Sequence, residues 1–196
     1  MYKKYHTKGF VLKSSDFGES SKLYKIFTRE LGLIMASARS SRSQGAKLKA
    51  GLEEYSSGDF TFIKSKNGWK VTDAIPKLNI YFYLNGSPAF LICARSFNLL
   101  QKLLQGEDPD IFFFDQFYHD IDFVIKNPQL PSDLLKNLEC LIVLRVLNKL
   151  GYLERDPWQD FVLENLNREI IGNFSSFREN SIKSINQSLK ESQLIS

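Results

Sequence analysis

Phe60-Thr61-Phe62-Ile63-Lys64-Ser65-Lys66-Asn67-Gly68-Trp69-Lys70-Val71-Thr72 is the stretch that decides the fold of the N-terminal part. Phe60 to Lys64 alternates partly with period two, the spacing of a strand with one buried face. Asn67-Gly68 then falls where a hairpin turn belongs. A type I′ turn needs φ > 0 at both central positions, and Asn and Gly tolerate it best. Trp69 to Thr72 resumes a β-prone run. Working back toward the start of the chain, Phe10-Val11-Leu12 opens another short run, and Leu23-Tyr24-Lys25-Ile26-Phe27-Thr28 a further one. Glu30-Leu31-Gly32 reads as a turn into Leu33-Ile34-Met35-Ala36-Ser37-Ala38. Five short strands in so little chain suit a small barrel, closed or partly open, of which the OB-fold is the common five-stranded case.

After Pro76 the pattern turns helical. Ser87-Pro88, Asp108-Pro109 and Asp156-Pro157 each place a capping residue before a proline, and Pro131-Ser132-Asp133 marks another start. Proline suits the first helical position because the N–H it lacks has no intrahelical partner there. Gly106, Gly151 and Gly172 stand where helices are expected to stop. The expected helices are 88–105, 109–126, 131–150, 157–171 and 175–192. Leu134, Leu138, Leu141, Ile142, Arg145 and Lys149 recur at helical spacing, so that helix buries a wide face. Ile182, Ile185 and Leu189 make a narrower stripe. The expected class is therefore α+β: an N-terminal OB-fold five-stranded β-barrel over residues 1–78, followed by an α-helical bundle domain over 79–196 that docks partners.

The 196 residues, 43% hydrophobic and 24% charged, suit a folded protein with a sizeable core. No apolar run reaches the length of a membrane span, and the first residues do not read as a signal peptide, so a cytoplasmic location is expected. Cys93 and Cys140 each sit among apolar residues and read as buried thiols rather than as a zinc or redox pair. The net charge of +4 is unevenly spread. Residues 1–80 carry 15 Lys and Arg against 7 Asp and Glu, a net +8, and residues 81–196 carry 11 against 15, a net −4. Such asymmetry points to a polyanionic partner for the first half.

The candidate chemistry is that of binding. Leu31 to Leu52 holds Arg39, Arg42, Lys47 and Lys49 and no acidic residue, on a Ser- and Gly-rich background. Cations and hydroxyls so placed can track a phosphate backbone; the plainer reading is a solvated loop. Lys22 and Lys25 are expected to add to the same face. Phe17, Tyr24, Tyr55 and Trp69 are candidate stacking platforms for bases, with barrel core as the alternative for each. In the helical half, Arg95 and Arg145 interrupt apolar faces. Each either snorkels to the surface or awaits an anion, such as an acidic partner tail. His119 and Asp122, with Asp115 one turn earlier, have a spacing open to a metal, although a solvated acidic face accounts for it more simply. No phosphate-binding loop, nucleophile elbow or zinc-protease motif occurs, so neither catalytic residues nor a cofactor are expected.

Several segments in order resemble one family. Lys8-Gly9-Phe10-Val11-Leu12-Lys13-Ser14, then Gly18-Glu19-Ser20-Ser21-Lys22-Leu23, then Ile26-Phe27-Thr28-Arg29-Glu30-Leu31-Gly32-Leu33 resemble the start of the bacterial recombination mediator RecO. Ala36-Ser37-Ala38-Arg39-Ser40-Ser41-Arg42-Ser43 is similar to that family's basic segment, with Ser37 where Lys is usual. Leu52-Glu53-Glu54-Tyr55 and Leu147-Asn148-Lys149-Leu150-Gly151-Tyr152 resemble two later elements. The likeness is good over the first 75 residues and loose beyond. It implies an OB-fold, binding of single- and double-stranded DNA, and annealing of complementary strands. It further implies loading of RecA together with RecR, and docking of the acidic tail of single-stranded-DNA-binding protein on the helical half. Many members carry a four-cysteine zinc module after the Gly-Tyr element. Here Glu154-Arg155-Asp156-Pro157-Trp158-Gln159-Asp160-Phe161 has no Cys, so no metal is expected. Rival readings are an RNA-binding OB protein, a metal-dependent hydrolase built on His119, and a structural adaptor whose basic face meets an acidic protein.

Overall fold

The computed structural model describes residues 2–17, 19, 21–39, 46–153 and 158–191, with Arg39, Ala46 and Lys47 described in their backbone alone. The strands are β1 (Lys4–Phe17), β2 (Ser21–Thr28), β3 (Gly32–Arg39), β4 (Ser56–Ser65) and β5 (Gly68–Asn79), with a short α1 (Ala46–Gly51) between β3 and β4. They close into a barrel in the order β1-β2-β3-β5-β4, with β4 returning to β1. All neighbours are antiparallel except β3 and β5, which run parallel through Ala36 opposite Trp69 and Ser37 opposite Lys70. This is the five-stranded OB-fold expected from the strand count.

Alternation builds the barrel interior. Tyr24 and Ile26 of β2, Ile34, Ala36 and Ala38 of β3, Phe60 and Phe62 of β4, and Trp69 and Val71 of β5 form one buried cluster. Leu52, just after α1, belongs to that cluster, and Leu48 packs against it. Gly51 is close enough to β5 that an added Cβ would stand 2.8 Å from the Ala74 Cβ. The hairpin differs from the expected type I′ turn. Gly68 has φ 95°, but Asn67 keeps negative φ, and among described non-glycine residues only Tyr55 is positive (φ 66°). Asn67 N–H instead donates to Ser65 Oγ at 3.3 Å, and that hydroxyl donates to Gly68 O at 2.9 Å. A side-chain acceptor thus supplies the closure that a second left-handed residue would have supplied.

The helices are α2 (Ile80–Tyr83), α3 (Ala89–Leu103), α4 (Ile111–Lys126), α5 (Ser132–Lys149), α6 (Gln159–Leu163), α7 (Arg168–Asn173) and α8 (Arg178–Glu191), with a 3-10 turn at Phe174–Ser176. The Ser87 cap forms as expected, since Ser87 Oγ accepts from Ala89 N–H at 3.2 Å. The helix expected from Asp108-Pro109 starts later because Asp110 is the residue that caps it, accepting from Phe113 N–H at 2.9 Å. The expected 157–171 helix is two helices. Glu164 turns extended (ψ 154°), and Asn167 starts α7 anew by accepting from Ile170 N–H at 2.9 Å. Gly172 lies inside α7 rather than ending a helix. Asp156-Pro157 lies outside the described residues.

Two compact units result, and they are not consecutive in sequence. One comprises Met1–Gly86 with Leu104–Asp115, the other Ser87–Leu103 with Gln116–Ser196. In the first, Phe113 and Phe114 cover apolar residues on the outer side of the barrel, with Phe114 5.8 Å from Phe10 and 5.1 Å from Phe27. In the second, α5 touches α3, α6, α7 and α8 and is buried on most of its circumference. Its buried Asn137 is satisfied by donating to Ile171 O and Ser175 Oγ, both at 2.8 Å. Among the described residues no helix is long and apolar enough to cross a membrane.

Candidate nucleic-acid interface

Strand register fixes which cations share a face. In β1 the pairing with β2 shifts between Val11 and Lys13, an irregularity of the β-bulge kind. Before the shift the odd residues face the interior, and after it they face out. Lys13 therefore points outward and stands opposite Lys25 of β2, which stands opposite Met35 of β3. One step along the strands, Ser15, Leu23, Ser37 and Lys70 form a second outward row across β1, β2, β3 and β5. Lys13 and Lys70 are exposed, Lys25 is half-buried, and Met35 is 53% exposed. Neither row contains a carboxylate. Phe17, 56% exposed, continues β1 beyond the second row.

The expected site residues distribute as follows. Lys25 lies on this face. Lys22 does not, because residues three apart in a strand point to opposite sides. Lys22 shares the inward parity of Tyr24 and Ile26, reaches out only at the barrel end, and has Asp16 3.9 Å away. Lys49 is exposed in the last turn of α1. Arg39 ends β3 opposite Ser21. Its side chain, the side chain of Lys47 and the whole of Arg42 lie outside the described residues.

Tyr24 at 9% and Trp69 at 6% exposure are barrel core, so neither ring offers a base a free face in this conformation. Burial also raises the Tyr24 hydroxyl above its ordinary pKa, with Asp16 adding to the effect. Tyr55 is half-buried. Of the four candidate platforms, Phe17 alone is largely exposed.

Lys13, Lys66 and Lys70 were not singled out from the sequence. The two hairpin lysines had a visible signal, since Lys64 to Lys70 holds three lysines and no acid around its turn. Lys13 had none, because its outward direction depends on the shift in register.

The opposite wall of the barrel, across β1, β4 and β5, is of mixed charge. Lys8 is opposite Asp59, which pairs with Lys77 at 3.1 Å, and His6 Nδ1 lies 3.0 Å from Thr61 Oγ1. Arg29 is also committed internally. It holds Asp115 through two contacts of 2.7 Å and Glu30 at 2.9 Å, and these carboxylates raise its pKa.

The two arginines of the helical half differ from each other. Arg95 is largely exposed and bound to Glu139 at 2.8 Å. Arg145 is 3% exposed and does not snorkel; its Nε closes no hydrogen bond, but both terminal nitrogens are engaged. Its Nη1 donates to Asp120 Oδ1 at 2.5 Å, and its Nη2 donates to the carbonyls of Phe161 and Glu164 at the end of α6. A cation with its anion already in place beside it cannot also form the rim of a groove for an acidic tail. Burial pushes the Asp120 carboxyl up to about 6, against the pull of Arg145.

The acids near His119 are also taken: Asp115 by Arg29, and Asp122 by Lys126 at 2.6 Å. Among the described residues no three His, Cys, Asp or Glu side chains gather as metal ligands would. Cys93 and Cys140 are both buried, and burial pushes each thiol up to about 12.

Comparison with known proteins bears on the barrel most directly. Residues 1–75 match the family model described as the N terminal of recombination protein O. The DNA repair protein RecO of Alkaliphilus metalliredigens is 35% identical over 75 residues, which cover 38% of this chain and 30% of that protein. The RecO of Heliobacterium modesticaldum is 29% identical over 148 residues, 76% of this chain and 52% of that protein. For Acetivibrio thermocellus RecO the figures are 22% over 152 residues, 78% and 58%. The chain spans about half the length of the curated relatives it matches. The match spans nearly the whole of the closed five-stranded barrel, so residues 1–75 are similar to the N-terminal part of the RecO family.

Proposed function

We propose that this chain is a non-enzymatic DNA-binding recombination mediator in DNA repair, acting in the cytoplasm at the nucleoid. The barrel, residues 1–78, holds single- and double-stranded DNA, and the helical part, 79–196, docks proteins. It anneals complementary strands and, with RecR, helps load RecA onto DNA coated by single-stranded-DNA-binding protein, whose acidic tail the helical part receives. The observation that carries the reading is the carboxylate-free outer face holding Lys13, Lys25 and Lys70 across four adjacent strands. In five-stranded OB barrels the β2–β3 face and the loops joining β1–β2 and β4–β5 are where oligonucleotides lie. Arg39, Arg42, Lys47 and Lys49 extend the basic character from the β3–β4 connection.

Annealing follows from simple electrostatics. Lysines that neutralise phosphates reduce repulsion between two strands and leave base edges free to pair. No base-reading contact is required, so binding tolerates any sequence. The test is single-strand affinity and strand annealing by the full chain, without ATP, across a salt series. Each phosphate contact contributes about −0.7 to the log-log salt slope. Replacing Lys13, Lys25 and Lys70 together by Ala is expected to flatten that slope by about 2 and to slow annealing. An unchanged slope removes this face from the assignment. A preference for RNA in competition with a matched DNA strand favours the RNA-binding alternative.

A further inference from the structure

The β4–β5 hairpin is basic, yet one of its lysines is already engaged within the chain. Lys64 Nζ lies 2.6 Å from Glu107 Oε2, with the two side chains 51% and 44% exposed. The same ammonium sits 5.1 Å above the ring of Trp69, its cross-strand partner. Trp69 meets Tyr5 edge-on at 5.0 Å, and Lys3 lies 5.0 Å from the Tyr5 ring. This end of the barrel therefore combines cations with aromatic rings, and a carboxylate stands on it.

Glu107 is held there by its backbone. It lies in a non-helical stretch between α3 and α4 that clusters with the barrel. Leu33 N–H donates to Gly106 O at 3.2 Å, and Gly106 takes φ 70°, a conformation open to glycine. On the far side of Glu107, Asp108 packs so closely on Gly32 that a Cβ at Gly32 would stand 2.7 Å from the Asp108 backbone. The carboxylate is thus fixed on both sides. Its pKa is held below the usual range, first by Lys64 and then by the Trp69 indole N–H, which closes no hydrogen bond of ordinary geometry.

We propose that Glu107 is a built-in competitor for the phosphates of a bound single strand, keeping Lys64 in an internal ion pair that the strand must displace. The proposal rests on the DNA-binding reading above and adds a regulator to that site. An ion pair this exposed is weak, so it tempers binding without blocking it. A strand held by several other lysines exchanges one carboxylate for one phosphate on Lys64. A strand held by few does not. The effect is to favour longer or better-seated strands over incidental anions.

The test is binding of an oligo-dT strand to the full chain by fluorescence anisotropy across a salt series. The proteins are wild type, Glu107→Gln, Lys64→Ala, the double variant, and Asp73→Asn as a charge-matched control. Asp73 is exposed on the opposite wall, facing Thr61 across the β4–β5 pair. Glu107→Gln is expected to bind about two- to fivefold tighter at low salt. Its salt slope is expected to steepen by up to about 0.7, because Lys64 then meets a phosphate without giving up a carboxylate. Lys64→Ala should bind more weakly than wild type, having lost the contact a strand gains on displacing Glu107, and the double variant should lose the gain of Glu107→Gln. The proposal is overturned if Glu107→Gln matches Asp73→Asn, or if its gain survives in the double variant. A wild-type protein that binds no strand overturns the DNA-binding reading as well; binding that ignores Glu107 removes the competitor alone.

Discussion

The barrel keeps its charge in water and the helical unit takes a charge inside. No described Lys or Arg side chain of the barrel is buried, whereas Arg145 of the helical unit is 3% exposed and its partner Asp120 equally enclosed. Along the sequence these cations look alike, each interrupting an apolar pattern. Their consequences differ because water differs. An exposed lysine is free to exchange a carboxylate for a phosphate at little cost. A buried arginine is fixed by the penalty of leaving either charge unpaired. Interior charge here holds α6 against α4 and α5 through Asp120 and two carbonyl oxygens.

The contrast breaks most severely at the buried pair. Arg145→Ala strands Asp120 and two carbonyls, and is expected to cost about 3–5 kcal/mol. Arg145→Met with Asp120→Leu should recover most of that loss, because two apolar groups need no partner. Urea unfolding can follow the units separately, since each buries one of the two tryptophans: Trp69 in the barrel and Trp158 among the helices. A Trp69→Phe background reports the helical unit, and a small loss on Arg145→Ala there would mean the pair is not enclosed.

The pH dependence of the same unit has a definite sign. Asp120 has a folded pKa raised to about 6 from 3.8, chiefly by burial. Between these values the folded protein holds a proton that the unfolded chain releases, so this group's contribution to stability grows as pH falls through the window and is lost as pH rises through about 6. The scale is on the order of 3 kcal/mol. Asp120→Asn should abolish this component, and a wild-type-minus-variant difference that stays flat from pH 4 to about 7 would show that Arg145 outweighs burial.

On the barrel side, Gly32→Ala is expected to cost about 1–3 kcal/mol, because φ is 71° and the methyl would meet the Asp108 backbone. Trp69 fluorescence in a Trp158→Phe background reads this loss, and an unperturbed midpoint would mean the 106–108 stretch gives way easily. The smallest effect belongs to Arg95→Ala. Its pair with Glu139 is exposed, so less than about 1 kcal/mol is expected, diminishing further in salt. A large loss there would erase the distinction between the two arginines of the helical unit.

Much of the barrel was legible in local patterns. Alternation in Phe60–Lys64 and Leu33–Ala38, the turn glycines at 32 and 68, and the acid-free basic stretch all lie within a few residues of the features they specify. Serine caps and proline starts likewise placed α3. The misplaced boundaries involved rival signals close together, such as Asp108 against Asp110, or an asparagine cap in the middle of an apolar run at Asn167. The candidate site was legible in sign but not in address. Lys22 and Lys25 are near neighbours in sequence yet belong to opposite sides of one strand, and Lys13 faces out only because β1 shifts register.

The sequence by itself determined the kind of protein: a basic five-stranded barrel followed by helices, with the residue order of one family. Periodicity, turn chemistry and charge balance are local or additive, and need no knowledge of partners. Tertiary structure alone decided that Arg145 is paired to a residue 25 positions away, that Tyr24 and Trp69 are core, and that Leu104–Asp115 returns to the barrel carrying Glu107. Burial and pairing are properties of contacts distant along the chain. The same side chain becomes a binding group or a structural one according to which distant atoms exclude water from it.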